Sequence, residues 1–284
     1  MIARWIFTVS PGRSGQATLS ALLDRHVEGA YVAFEEPQVD PILPGFFGDL
    51  ERNFRRRFVE TDELLGRGKV LAAYAVGDDA YIDRIVARRL AAIRRKAARL
   101  GARIYIDINS HFAKGLHRGF VKVVPKFSLI RLVRDPLQVM RSYLNRRKSF
   151  HKDHNTPDAP SNVLRLDPNG LTTGELYLWA WCEMYLRFDR LVEEHRPERA
   201  VEIRTEELND PDRMNDHLDT LALPHSPVEA RAPMNTNVGQ GWPATSVTAD
   251  DIALFELFLS RLPAEARRRI RYFDDYDPYR RHAT

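Results

Sequence analysis

Phe7-Thr8-Val9-Ser10-Pro11-Gly12-Arg13-Ser14-Gly15-Gln16-Ala17-Thr18-Leu19 is the stretch from which the rest of the chain is read. The apolar run 5–9 predicts a buried strand. Ser10, Pro11, Gly12, Ser14 and Gly15 are turn formers, and Thr18, Leu19, Leu22 and Leu23 resume at helical spacing. Strand, glycine-containing loop and helix N-terminus in that order bring unpaired backbone N–H groups and the positive end of a helix dipole to one point, which suits an anion. Arg13 adds a full charge. The same residues also suit an ordinary strand-to-helix turn, where Gly, Pro and Ser are favoured on conformational grounds alone.

The pattern of strand followed by helix repeats along the chain. Residues 30–34 predict a second strand, which runs into Glu35-Glu36-Pro37. Helices are expected over 46–58, 81–100, 171–194, 211–221, 248–262 and 264–273, and 69–75 fits either a strand or a helical segment. Residues 102–107, 127–133 and 200–204 are the remaining core strands. A helix is expected to start near Ile108-Asn109-Ser110-His111-Phe112, capped by Asn109 or Ser110. Another follows Asp135-Pro136, which suit an N-cap and a first turn. Strands alternating with helices imply an α/β fold of three layers, a central parallel sheet with helices on both faces, in which the strand, loop and helix over 5–23 would form a P-loop-like anion site. No linker divides residues 1–284, so one domain is expected. The Pro- and Asn-rich segment 145–170 and the Gly/Asn/Pro loop 234–246 are its candidate lids.

Composition narrows the function. The net charge is +4, a small excess for a nucleic-acid-binding protein, and no basic stripe is interleaved with aromatics; small anionic ligands are favoured over DNA or RNA. Most basic residues are arginine, whose planar fork binds phosphate and carboxylate bidentately. The single cysteine, Cys182, excludes a disulfide framework and a cysteine-based metal site, and fits a reducing, cytoplasmic setting. No apolar run is long enough for a transmembrane segment. Oligomeric state is not legible.

A second constellation stands at the fourth core strand. The strand ends at Arg134, and Ser142 lies eight residues on, a little over two helical turns, so the two can share a ligand only if Arg134 reaches along the helix. Phe127-Ser128-Leu129-Ile130-Arg131-Leu132-Val133-Arg134-Asp135-Pro136-Leu137-Gln138-Val139-Met140-Arg141-Ser142-Tyr143 resembles the 3′-phosphate motif of PAPS-dependent sulfotransferases. Pro11 to Leu19 resembles the same family's 5′-phosphosulfate loop. Two weaker echoes follow. Val201-Glu202-Ile203-Arg204-Thr205-Glu206-Glu207-Leu208 is similar to the family's late strand and turn. Asn237-Val238-Gly239-Gln240-Gly241-Trp242 is similar to the loop that closes over the nucleotide.

The resemblance implies PAPS (3′-phosphoadenosine 5′-phosphosulfate) as co-substrate and a small-molecule acceptor with a hydroxyl or amine. It implies no nucleic-acid partner and no metal. Pro11, Gly12, Arg13, Ser14, Gly15, Gln16, Ala17, Thr18, Arg134, Ser142, Gly239, Gly241 and Trp242 then hold the nucleotide, and Arg13 stabilises the departing phosphate. Two candidates for the base are implied: His111, after the 102–107 strand, and Glu36, before Pro37, with Glu35 behind them. The chain departs from the family where two hydroxyl residues are expected and Gln16 and Ala17 stand, with Thr18 one place on. That departure keeps open a nucleotide-binding protein without catalysis. A P-loop kinase or NTPase would need Gly-Lys-Ser/Thr where Gly15-Gln16-Ala17 stands. A zinc site from His151 and His154 lacks a third ligand. The sequence Gly12-Arg13-Ser14-Gly15-Gln16 does not complete a serine hydrolase's elbow.

Overall fold

The computed structural model describes residues 2–36, 44–58, 61–146, 149–229 and 246–283. Five strands, β1 (Arg4–Val9), β2 (Ala30–Phe34), β3 (Ile104–Ile108), β4 (Ser128–Val133) and β5 (Arg199–Arg204), form one sheet in the order β2-β3-β1-β4-β5. Every neighbouring pair is parallel. Parallel strands must be covered on both faces, and their sequences show it: β1 sends Trp5, Phe7 and Val9 to one core and Ile6 to the other.

Thirteen helices are described. The first six are α1 (Gln16–His26), α2 (Gly45–Phe58), α3 (Thr61–Leu64), α4 (Lys69–Val76), α5 (Asp79–Leu100) and α6 (His117–Val123). They are followed by α7 (Pro136–Asn145), α8 (Phe150–Asp153), α9 (Thr173–His195), α10 (Pro211–Thr220), α11 (Ala249–Arg261), α12 (Ala264–Arg269) and α13 (Pro278–Arg281). Helices α1 and α10 cover one face through Leu19, Leu23, Met214 and Leu218. Helices α4, α5, α6 and α9 cover the other. A third cluster, around Trp179, Trp181 and Phe255, joins α7, α9 and α11 beyond the end of β4.

All five expected strands and the helix after Asp135-Pro136 are present. The ambiguous run 69–75 is helix α4, and it buries Val70, Leu71, Ala73 and Tyr74. Two expectations change. The helix expected near 108–112 is a 3-10 turn, Phe112–Lys114, with α6 beginning only at His117. The last predicted helix stops at Arg269 and a 3-10 turn, Arg271–Phe273, replaces its end so that Tyr272 can pack inward. Gly239, Gly241, Trp242 and the candidate lid 234–246, apart from Ser246, lie outside the described residues.

In the other candidate lid, 145–170, the residues that follow α8 are tied to α9. Glu183 accepts from the amides of Val163 (3.0 Å) and Leu164 (2.6 Å), and Trp179 Nε1 donates to Leu164 O at 2.9 Å. Arg187 pairs with Glu183 and reaches Asn162. These groups are buried, so the loop is fixed by partners that water cannot replace.

Candidate functional site

The chain visits β2 and β3 on one side of β1 and then crosses to β4 on the other. In parallel α/β sheets, ligands bind outside the carboxyl ends of the strands at such a switch point. The loop 10–15 stands there. Gly12, Arg13 and Gly15 all adopt left-handed backbone, with φ of 88°, 60° and 83°. Two of these need glycine. A Cβ on Gly12 would collide with the Tyr143 hydroxyl, and one on Gly15 would meet Leu208 Cδ1 at 2.9 Å and Thr205 Cγ2 at 3.1 Å. The loop is pinned from outside: Tyr143 donates to Pro11 O (2.9 Å), and Thr205 Oγ1 lies 2.9 Å from Ser14 O and 3.0 Å from Val133 O. It is pinned from within by Ser10 Oγ, which accepts from Gly12 N, and by Ser14 Oγ, which donates to Gly12 O. No side chain caps the start of α1, so its first-turn N–H groups have no partner within the helix or from a cap.

The two sequence motifs meet in space. Arg13 Nε donates to Ser142 Oγ at 3.0 Å, and Arg134 Nη1 donates to Arg13 O at 3.1 Å. Arg134 does reach along α7, but to Gln138 Oε1 at 3.0 Å, so Ser142 is engaged by Arg13 and not by Arg134. Trp181 Nε1 donates to Arg134 O and fixes the strand end. Neither Arg13 nor Arg134 forms an ion pair among the described residues. Burial, followed by the charge of Arg146 and then that of Arg134, lowers the Arg13 pKa; burial lowers that of Arg134 as well. Clustered, partly dehydrated guanidinium groups without carboxylates are poorly compensated until a polyanion joins them. Gln16 is buried and its Nε2 has no hydrogen-bond partner, whereas Ala17 and Thr18 are half-buried.

A second group lies beside this one, over the end of β3. His111 is only 2% exposed. Its Nε2 accepts from Arg67 Nε at 3.2 Å and lies 3.4 Å from Asp153 Oδ1, and its Nδ1 lies 3.3 Å from Asn109 Oδ1. Arg67 Nε also lies 3.3 Å from Asp153 Oδ1, so Arg67 and His111 meet the same carboxylate oxygen. Burial, with Lys114 and Arg67 near, lowers the His111 pKa to about 3, so the ring is neutral. Lys114 Nζ donates to Asp153 O at 3.0 Å, and burial lowers its pKa to about 7. Burial alone would raise the Asp153 carboxyl, but its contact with His111 and the charges of Lys114 and Arg67 hold it well below the usual range.

The two glutamates at the end of β2 part company. Glu36 accepts from Lys96 Nζ at 2.8 and 2.7 Å and from the Tyr31 hydroxyl. Glu35 has a left-handed backbone, φ 48°, and its nearest cation is Arg67 at 4.0 Å. Arg67 and Asp153 were not expected from the sequence. The available signal for Arg67 was its place between two glycines. Gly66 has φ 92° and lies so close to His111 that a Cβ there would be 3.1 Å from the histidine's own Cβ. Asp153 carried no signal, because it reaches the site from a loop-like segment through the tertiary fold alone. No group of three His, Cys, Asp or Glu side chains able to hold a metal occurs among the described residues, and none of the described helices is long and apolar enough to cross a membrane.

No family model matches the chain, and no curated protein matches its sequence. Among solved structures it is similar to the sulfotransferase domain from the curacin biosynthetic pathway, at 14% identity over 98% of this chain and 99% of that one, with a TM-score of 0.49. It is also similar to the sulfotransferase domain from the Synechococcus PCC 7002 olefin synthase, at 16% identity over 92% and 95% of the two chains, with a TM-score of 0.47.

Proposed function

We propose that the protein transfers the sulfuryl group of PAPS to a hydroxyl or amine of a small-molecule acceptor and releases adenosine 3′,5′-bisphosphate. The observation that carries this reading is the junction of the two motifs. Arg13 of the loop rests on Ser142 of α7, and Arg134 rests on the loop's own carbonyl, with no carboxylate paired to either arginine among the described residues. One anionic group suits the loop amides and the start of α1. A second suits Arg134 and Ser142, and the two groups belong to one molecule because Arg13 spans both. The uncapped first turn of α1 and Arg13 are placed to take up charge as the phosphate departs, an effect that is larger in a partly dehydrated site than in water. Pro11, Gly12, Ser14 and Gly15 shape the loop, and Gln16, Ala17 and Thr18 present its helical end.

Calorimetry with adenosine 3′,5′-bisphosphate tests the assignment. Binding is expected in the wild type. Arg134→Ala should weaken it by at least about 30-fold, the effect of removing one partner of a dehydrated charged contact. Unchanged affinity in that variant overturns the placement of the second phosphate. Gln16 and Ala17, in place of hydroxyl residues, favour a second reading, nucleotide binding without turnover. Labelled PAPS incubated with hydroxyl and amine acceptors separates the two.

A further inference from the structure

The loop and the arginines account for the donor, and they leave the acceptor's proton without a destination. Three side chains are candidates to receive it: His111, Glu36 and Glu35. His111 is enclosed, with its Nε2 against Arg67 and Asp153 and its other nitrogen facing Asn109 Oδ1 and Ser110 Oγ. Glu36 is taken up by Lys96 and Tyr31. Both glutamates lie beyond the end of β2, and the left-handed backbone of Glu35 turns the chain between them.

We infer that Glu35 is the general base for the acceptor, an assignment that rests on the sulfuryl-transfer reading above. Its side chain is 37% exposed, and among the described residues no hydrogen bond holds its carboxylate; the Arg67 contact at 4.0 Å is a loose one. Besides Arg67 from the turn after α3, its charge acts on Arg13 of the loop after β1, Lys114 of the 3-10 turn after β3 and Tyr143 of α7. The sheet order sets the separation. Strand β2 is two strands from β1, about 10 Å at ordinary strand spacing, with the end of β3 between them. Arg13 and Glu35 therefore follow strands that stand two places apart at the same end of the sheet.

The backbone supports the same assignment. A non-glycine residue with positive φ is strained, and such strain persists where the surroundings impose it, often at functional sites. At this end of the sheet the described residues of that kind are Arg13 and Glu35. The Glu35 amide donates to Ile108 O at 3.2 Å, which holds the turn after the strand ends.

The step balances. A new bond forms between the acceptor oxygen and sulfur, and the bond between sulfur and the bridging oxygen of the phosphosulfate breaks. The electron pair of that bond leaves on the phosphate of adenosine 3′,5′-bisphosphate, and the acceptor's proton passes to Glu35.

Water serves as a defined acceptor, so sulfate release from PAPS alone provides the test, with calorimetry of adenosine 3′,5′-bisphosphate beside it. Glu35→Gln should lower the rate of sulfate release by about 100-fold or more, the usual range for a lost base, while nucleotide affinity stays within about twofold. Glu35→Asp should recover part of the rate, which a purely structural role would not require. An undiminished rate in Glu35→Gln, or a larger fall in Glu36→Gln, overturns the assignment and leaves the donor reading intact. No nucleotide binding in the wild type overturns both, and tight binding with neither sulfate release nor transfer to the labelled-PAPS acceptors overturns sulfuryl transfer and the base with it.

Discussion

At position 16 the chain buries an amide whose Nε2 has no partner, at the point where the site would receive an anion. An unsatisfied buried donor costs about 1–3 kcal/mol. Gln16→Met should therefore raise the stability of the ligand-free protein by about 1 kcal/mol in urea denaturation. The same variant should bind adenosine 3′,5′-bisphosphate several-fold more weakly if the amide turns to the ligand; equal affinity would remove Gln16 from the grip. Ser142 differs, because its hydroxyl already accepts from Arg13. A hydrogen bond to a charged group contributes about 1.5–3 kcal/mol, so Ser142→Ala should weaken nucleotide binding about tenfold or more by calorimetry. At this scale the sequence did not show which side chains touch. Ser142 was read with Arg134, yet it is Arg13, arriving from another strand, that occupies it.

At the scale of elements, the loop between β1 and α1 is shaped by what touches it. Gly15→Ala would force a Cβ against Leu208 and Thr205 at a left-handed backbone position. A loss of about 1–2 kcal/mol is expected, with a parallel loss of nucleotide affinity, measurable by thermal denaturation and calorimetry. The loop after α8 depends on one buried pair on α9. Removing Glu183 would strand the Arg187 charge and release two backbone amides. Glu183→Ala should cost about 3–5 kcal/mol and expose residues 155–166 to limited proteolysis; full resistance would show that the loop is held by something else. The elements themselves were largely legible. Apolar runs and helical periods marked all five strands and most helices, because both faces of a parallel sheet must be covered. Failures came where tertiary contacts replace a helical turn by a 3-10 turn, after His111 and before Phe273.

For the whole molecule, the buried groups at the ends of β2 and β3 set its response to acid. His111 has a folded-state pKa of about 3 against an ordinary 6.5. Between those values the unfolded chain takes up a proton that the folded chain refuses, so stability present above pH 6.5 is lost as pH falls towards 3. Asp153, held below its ordinary range by His111, Lys114 and Arg67, adds a loss in the same direction at still lower pH. Asp107 opposes both: burial raises it to about 6 against 3.8 despite its pairing with Arg89, so the folded state gains stability as pH falls between those values. The His111 interval is the wider, and the net expectation is a urea midpoint that falls from pH 7 to pH 4. His111→Asn should flatten that slope, and a midpoint that does not change with pH would contradict the burial of a neutral ring.

By itself the sequence determined the α/β alternation, the parallel sheet and where the turn after β1 and the capped helix after β4 begin, because hydrophobic period, turn chemistry and helix capping act over a few residues. Only the tertiary structure decided which groups share a site. Arg67 and Asp153 come from segments remote in the chain, and the choice between Glu35 and Glu36 turns on where β2 ends and on Lys96 sixty positions away. The loop that opened the reading, residues 10–15, is shaped by its own glycines and serines. It meets Arg134 and Ser142 only because β1 and β4 are neighbours; strand order is a property of the packed sheet and of no local stretch.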